Sequence, residues 1–165
     1  MEVVQVLDRP ASQSFYGVAG RLLFITTIEL RLSKVIERLF AGWQLAPVTF
    51  PDRSPDIRIE FFCGEPLPLI PPNLNQFEIA EGGQCHIDRG ELYLLLGGAL
   101  VHLEEGAPVR VRLWFADVPA DPLLARATSF AVCAALRRFG MFELHSAGMV
   151  HPVSDKGVLI IGPSG

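Results

Sequence analysis

The sequence contains few charged residues and few cysteines, and both shortages exclude classes of protein. Charged residues make up 19% of the 165 positions, whereas soluble domains average about 25%. The formal net charge of −4 provides no broad positive field, so we expect neither a nucleic-acid nor a membrane partner. The three cysteines are an odd number without paired spacing, which argues against a disulfide framework.

Long apolar runs are also missing. The longest, from Leu92 to Val101, spans ten residues and includes Gly97-Gly98, about half of what a membrane-spanning helix needs. The first residues, Met1-Glu2-Val3-Val4, do not resemble a secretory signal, so we expect a cytoplasmic location. Hydrophobic residues still make up 50% of the chain, and a chain of this size can bury enough surface to fold without metal or disulfides.

The first hundred or so residues predict strands around one amphipathic helix. We expect a strand over about 15–25, and a capping box at Thr26-Thr27-Ile28-Glu29 that begins a helix ending near Gly42. Alternating apolar and polar residues predict further strands over 57–63, 84–88, 91–96, 99–103 and 109–115.

Two details of this sheet follow from the pattern. Gly97-Gly98 supplies the positive φ angles of a two-residue hairpin. Arg110 and Arg112 are placed to face Glu60 or Glu91 on the outer side of the sheet, where opposite charges support strand pairing.

A second helix is predicted at Asp121-Pro122, because aspartate is a common N-cap and proline a common first helical residue. It continues through an alanine-rich stretch to about Phe139 and is followed by strands over 143–150 and 157–161. We therefore expect an α+β fold, an antiparallel or mixed sheet with two main helices. Residues 1–119 would form an N-terminal α+β domain, and 120–165 the helix and first strands of a second domain.

The last nine residues join an apolar strand to a glycine-flanked turn. Gly157 to Ile161 predicts a strand buried on both faces, as in parallel sheets. It leads directly into Gly162-Pro163-Ser164-Gly165, as a strand leads into the phosphate-binding loop G-x-x-x-x-G-K-[ST]. These four residues match the first half of that motif, and its lysine and Mg²⁺-binding hydroxyl would lie beyond Gly165.

Residues 144–165 as a whole resemble the entrance to the P-loop of HPr kinase/phosphorylase-like kinases. The shared features are Leu144-His145 followed by a small residue, a hairpin, an apolar strand ending in glycine, and then Pro-Ser-Gly. The resemblance implies the first strands of a P-loop core like that of HPr kinase and phosphoenolpyruvate carboxykinase. It also implies ATP and Mg²⁺ as cofactors of the whole enzyme, and a serine or a small molecule as phosphate acceptor.

By this resemblance Gly162, Pro163, Ser164 and Gly165 begin the nucleotide-binding loop, and His145 is a catalytic candidate near the phosphates. The loop lysine and the catalytic carboxylates would lie beyond Gly165. We therefore expect the chain to be the inactive N-terminal portion of a kinase, and to bind no cofactor tightly by itself.

Other candidate sites have simpler explanations. In Cys85-His86-Ile87-Asp88 neighbouring side chains point to opposite faces of a strand, so we expect no metal site. His102 is expected on the sheet surface, and Glu104-Glu105 in a solvated turn. The alternative function is a self-contained binding or scaffold module, whose apolar surface serves a homo-oligomer or a partner protein.

Overall fold

The chain folds as an α+β protein with an eight-stranded mixed sheet and two helices. This computed structural model describes residues 12–45, 47–64, 66–79, 82–88, 90–141, 146–150 and 157–161, with the last two ranges described by their backbone alone. The helices are α1 (Leu30–Gly42) and α2 (Asp121–Arg137). The strands of the large sheet are β1 (Ser12–Val18), β2 (Arg21–Thr27), β3 (Ile57–Cys63), β4 (Asn75–Ile79), β5 (Gly83–Asp88), β6 (Glu91–Leu96), β7 (Ala99–Glu104) and β8 (Val109–Phe115).

The order of the strands across the sheet is β1-β2-β3-β8-β7-β6-β5-β4. Strands β2, β3 and β8 are parallel, and all other neighbours in the sheet are antiparallel. Helix α1 connects β2 to β3, as a parallel pair requires. After β3 the chain crosses to the far edge at β4 and returns strand by strand to β8.

Both helices pack on the same face of the sheet and share one hydrophobic core with it. Leu32, Ile36 and Phe40 of α1 are buried against the sheet, one helical turn apart. Helix α2 contacts β7 and β8, and three of its alanines, Ala127, Ala131 and Ala135, are fully buried in the same core. These small side chains let the helix approach the sheet closely.

The opposite face of the sheet, here called the helix-free face, has neither described helix packed on it. Strand alternation assigns residues to the two faces: Ile57, Ile59 and Phe61 of β3 are buried under the helices, whereas Arg58 and Glu60 point the other way. The strand predicted over 57–63 and four others, predicted over 84–88, 91–96, 99–103 and 109–115, are confirmed. Their predicted bounds differ from the observed ones by at most one residue.

The predicted hairpin at Gly97-Gly98 is also confirmed. Both glycines have positive φ, 54° and 88°, and they join β6 to β7 in antiparallel register. A second two-residue hairpin was not predicted, because the sequence suggested one strand over about 15–25. The structure instead has β1 and β2 joined by Ala19 and Gly20, with φ of 47° and 75°, and an alanine is an uncommon residue in that conformation.

Two predicted helix starts are displaced. The capping box at Thr26 is wrong, because Thr26 lies within β2 and the N-cap of α1 is Glu29. The hydroxyl of the next residue, Thr27, instead accepts a hydrogen bond from the Glu29 amide at 3.0 Å. The N-cap of α2 is Ala120 rather than Asp121, which is the first helical residue.

Strand β4 was not predicted, because its residues follow a proline-rich segment and are mostly exposed. The buried Gly83 of β5 lies opposite Ile79 of β4. A Cβ atom at Gly83 would lie 2.7 Å from the Ile79 side chain. Because Gly83 has no side chain, the side chain of Ile79 can pack over it. This contact holds β4 on the sheet.

The C-terminal residues form a separate two-stranded antiparallel sheet of β9 (Ser146–Val150) and β10 (Gly157–Ile161). Both strands were predicted, but β10 was expected as in a parallel sheet, and it instead pairs antiparallel with β9. The division into domains at residue 120 stays a prediction, although α2, which it assigns to the second domain, packs in the core of the first. Within the described residues, no helix is both long and apolar enough to cross a bilayer.

Candidate functional site

The residues of the predicted phosphate loop, Gly162, Pro163, Ser164 and Gly165, lie outside the described residues, as does His145. The structure does describe the strand that precedes the loop. Strand β10 ends at Ile161, one residue before Gly162, and pairs with β9 through the register Ile161 to Ser146.

The helix-free face carries the largest group of interacting polar side chains among those described. Glu60, Arg112, His102 and Tyr93 lie side by side on β3, β8, β7 and β6, because the strand registers place them directly opposite one another. Glutamates from the adjoining row complete the group. We call the six residues the polar cluster: Glu60, Glu91, Tyr93, His102, Glu104 and Arg112.

Arg112 connects two strands on either side of its own. Its Nε donates to Glu60 Oε2 at 3.1 Å, and its Nη1 donates to Glu104 Oε1. All three side chains are about one-quarter exposed, so the guanidinium neutralises two carboxylates in a partly desolvated place. The predicted contact between Arg112 and Glu60 is confirmed.

His102 lies between two carboxylates and under an aromatic ring. Its Nε2 is 3.4 Å from Glu91 Oε2 and its Nδ1 is 3.7 Å from Glu104 Oε1. The Tyr93 ring stacks on the imidazole with 4.1 Å between centroids, and the Tyr93 hydroxyl donates to Glu91 Oε2 at 2.7 Å. His102 is only 9% exposed, so the expectation of a surface histidine is wrong.

Burial and hydrogen bonding shift the ionisation of these groups. Burial lowers the pKa of His102 below its ordinary value, although the neighbouring Glu104 and Glu91 act in the other direction. Burial and the bond to Glu91 raise the pKa of Tyr93 to about 12. The Tyr93 hydroxyl in turn holds the pKa of Glu91 below its usual value. Near neutral pH the imidazole of His102 and the phenol of Tyr93 are therefore both neutral.

An aromatic run borders the polar cluster. Phe62 and Trp114 stack with 5.4 Å between ring centroids and 16° between planes. The ring planes of Trp114 and His102 are also nearly parallel, with 6.4 Å between centroids. Phe62, Trp114, His102 and Tyr93 thus place four flat rings across four neighbouring strands.

The charges and rings of the polar cluster determine which chemical groups it can contact. Among the described residues, no three His, Cys, Asp or Glu side chains are grouped so that they could hold a metal ion. The buried imidazole can accept a proton, and the excess of carboxylates favours a cationic group over an anionic one. The aromatic run adds flat apolar surface beside these charges.

Two other features of the structure, a buried thiol and an apolar furrow, lie away from the polar cluster. At the carboxyl ends of the parallel strands, Cys63 lies beside Glu29 and Asp117, and burial together with these acids raises the pKa of its thiol. A thiol in that state is a poor nucleophile. Between α2 and the β1–β2 turn, an apolar furrow of about 380 Å³ is lined by Trp43, Val132 and neighbouring residues, and none of the described residues in its wall is charged.

The sequence indicated part of the polar cluster and missed the rest. Alternation on β3 and β8 placed Arg112 opposite Glu60 correctly. Glu104 was expected in a solvated turn, but it is the last residue of β7 and binds Arg112. Glu91 was expected on this face as a possible partner of Arg110 or Arg112, but it contacts His102 and Tyr93. Tyr93 could have been found from the same alternation, because it points to the helix-free face of β6.

Comparison with known proteins gives no relative for this chain. No family model, curated protein or solved structure matches it.

Proposed function

We propose that this chain is the non-catalytic N-terminal portion of an ATP-dependent kinase that resembles HPr kinase. One juxtaposition supports the proposal: strand β10 ends at Ile161, and Gly162-Pro163-Ser164-Gly165 follows directly in the sequence. A phosphate-binding loop depends on this order, because the strand fixes the position from which the loop amides converge on a phosphate. The antiparallel β9–β10 hairpin is a second feature expected from the resemblance.

The roles under this proposal follow the resemblance residue by residue. Gly162 and Gly165 let the backbone approach the phosphates of ATP, with Pro163 and Ser164 between them. His145 orients or polarises those phosphates. The lysine and the Mg²⁺-binding hydroxyl of the motif would follow Gly165. Phosphoryl transfer depends on how these groups position and stabilise the phosphates, so it would be a property of the whole enzyme. The acceptor is a serine of a protein or a small molecule, and the eight-stranded sheet serves recognition, regulation or assembly.

The simplest test is the reading frame of the gene across residue 165. We expect the next codons to encode a small residue followed by Gly-Lys-Ser or Gly-Lys-Thr. A stop codon directly after Gly165, or any other continuation, would overturn the kinase proposal.

A binding measurement tests the loop itself. The protein expressed from its complete reading frame should bind a fluorescent ATP analogue in the presence of Mg²⁺, and Gly165→Val should weaken that binding about tenfold or more, because its side chain blocks the approach of the backbone to phosphate. Gly42→Val is the matched control: Gly42 ends α1, and a Cβ there meets no atom within 4 Å. Equal nucleotide affinity in the two variants would contradict the proposed role of Gly165.

The second candidate is a self-contained binding or scaffold module. The helix-free face favours this candidate, because the polar cluster on it lies beside the stacked rings of Phe62 and Trp114, which are both half-buried. The reading frame separates the two candidates, since a stop codon after Gly165 leaves only the binding module.

A further inference from the structure

Strand β4 is an edge of the large sheet, and the described part of the chain contains no strand that pairs with its outer side. Four of its five residues are exposed. The opposite edge differs: at β1, the Val48 amide donates to the Phe15 carbonyl at 2.8 Å, and Pro47 bridges to Tyr16. Part of the outer side of β1 is therefore paired within the chain, whereas no described residue pairs with the outer side of β4.

Strand β4 lacks the features that usually protect an edge from pairing. Natural edges are blocked by proline, by several charges or by bulges. Pro71 and Pro72 precede β4, but Asn75–Ile79 contains no proline and only one charged residue, Glu78. Phe77 in the middle of the strand is 47% exposed, which is a large apolar side chain left in solvent.

We propose that a second copy of this chain pairs with β4, so that two β4 strands run antiparallel about a two-fold axis at Phe77. The axis sets Phe77 opposite the same residue of the second copy. Gln76 of each copy lies opposite Glu78 of the other copy, and Asn75 of each copy lies opposite Ile79 of the other. Each pair is favourable or neutral: the two rings face each other, and each Gln76 amide can donate to a Glu78 carboxylate.

The register of this pairing is also specific. In an antiparallel pair, two residues that lie directly opposite each other have their side chains on the same face of the sheet. The register between the two β4 strands can therefore change only by steps that keep Phe77 of both copies on the helix side. The symmetric shift toward the C-terminus places Glu78 against Glu78, which is a like-charge pair. The symmetric shift toward the N-terminus separates the two phenylalanines and places each opposite Asn75. Centring on Phe77 is the arrangement that joins the rings and avoids charge repulsion.

The geometry of β4 makes it ready for this contact. Ile79 is held in the space above Gly83 and beside Leu94, so the strand is fixed before a partner arrives. Because the surface is small, we expect a weak dimer, with a dissociation constant of about 1–100 µM. This dimer is independent of the proposed nucleotide loop, whose residues 162–165 are far from β4 in the sequence.

Sedimentation velocity on the full chain from about 1 to 300 µM tests the proposal. Wild-type protein should shift from monomer to dimer over this range. Gln76→Glu should weaken the dimer about tenfold, because it creates two like-charge pairs with Glu78, and Gln76→Lys should strengthen it several-fold. The controls are Gln13→Glu and Gln13→Lys, which place the same changes on an exposed residue of β1 and should leave the association unchanged.

Amide hydrogen exchange gives an independent readout on wild-type protein. Exchange in Asn75–Ile79 should slow as the concentration rises, whereas exchange in β1 should not. A chain that stays monomeric over the whole range, or a dimer that Gln76→Glu and Gln76→Lys affect no differently from the Gln13 variants, overturns the proposal. The same holds if the amides of β4 exchange at one rate at all concentrations.

Discussion

The two faces of the large sheet are built from the same strands but are stabilised differently. On the helix side of β3 and β8, Ile57, Ile59 and Val111 are fully buried under α1 and α2. On the helix-free side of the same strands, Glu60 and Arg112 are about one-quarter exposed and bind each other. Two residues that are adjacent in a strand are thus stabilised differently, one by apolar packing under the helices and the next by ion pairing on the helix-free face.

The difference shows which substitutions each face should tolerate. The helix side depends on close packing, so the volume of a side chain matters more than its identity among apolar residues. The helix-free side depends on partners: Arg112 binds both Glu60 and Glu104, and removing it leaves both carboxylates without their shared cation. Single substitutions can therefore test the comparison face by face.

The largest expected effect is on the helix side of β3. Phe61→Ala should reduce the free energy of unfolding by about 3–5 kcal/mol, because Phe61 is 1% exposed and its removal leaves a cavity. Phe62→Ala, one residue along, should cost only about 1–2 kcal/mol, because that ring is half-buried and stacks mainly on Trp114. Urea denaturation of the two variants measures both values. Similar losses for the two would mean that the helix-free face is as closely packed as the core.

A smaller effect is expected in the polar cluster. Arg112→Met should lower the free energy of unfolding by about 1–2 kcal/mol, since Glu60 and Glu104 lose their shared cation. The control is Arg110→Met on the same strand and face, where the side chain is exposed and the change should be within about 0.5 kcal/mol. If both variants unfold alike in urea, the ion pairs of Arg112 contribute nothing measurable.

The smallest effect concerns pH. The pKa of His102 is lower in the folded protein than its ordinary value of 6.5, so the folded state binds its proton less readily than the unfolded state. The contribution of the neutral imidazole is complete above pH 6.5 and is lost as the pH falls through 6.5 toward the folded pKa. His102→Phe keeps a flat ring against Tyr93 and removes this titration.

We therefore expect the stability of wild-type protein to fall more steeply than that of His102→Phe between about pH 7 and pH 5. Thermal unfolding across this range, measured on both proteins in the same buffers, gives the two slopes. Parallel slopes, or a steeper one for the variant, would show that the imidazole is not held neutral by the fold.

Much of the fold could be predicted because its signals are local. Alternation in Ile57–Cys63 and Val109–Phe115 reports which side chains are buried, and Gly97-Gly98 permits the turn that joins β6 to β7. Strand β4 could not be found in this way, since its burial is slight and its place depends on Ile79 fitting over Gly83. The β1–β2 turn was missed for a related reason: Ala19 adopts a positive φ that its own side chain does not favour.

The polar cluster could likewise be predicted only in part. The pairing of Arg112 with Glu60 could be expected from charge and alternation on two strands. The position of His102 could not, because its burial depends on Tyr93 from β6 and its electrostatics on Glu91 from β6 and Glu104 from its own strand, and these residues meet only when β6 and β7 are in register.

The sequence by itself determined which residues alternate, where the chain turns and that two helices accompany a sheet, because these depend on neighbours a few positions apart. Only the tertiary structure decided that β2, β3 and β8 run parallel and that β4 is the free edge. It also decided that both helices cover one face, which leaves Glu60, Arg112 and His102 together on the other. Strand order and the choice of face depend on contacts between distant segments, and the free energy of those contacts appears only when the whole sheet has assembled.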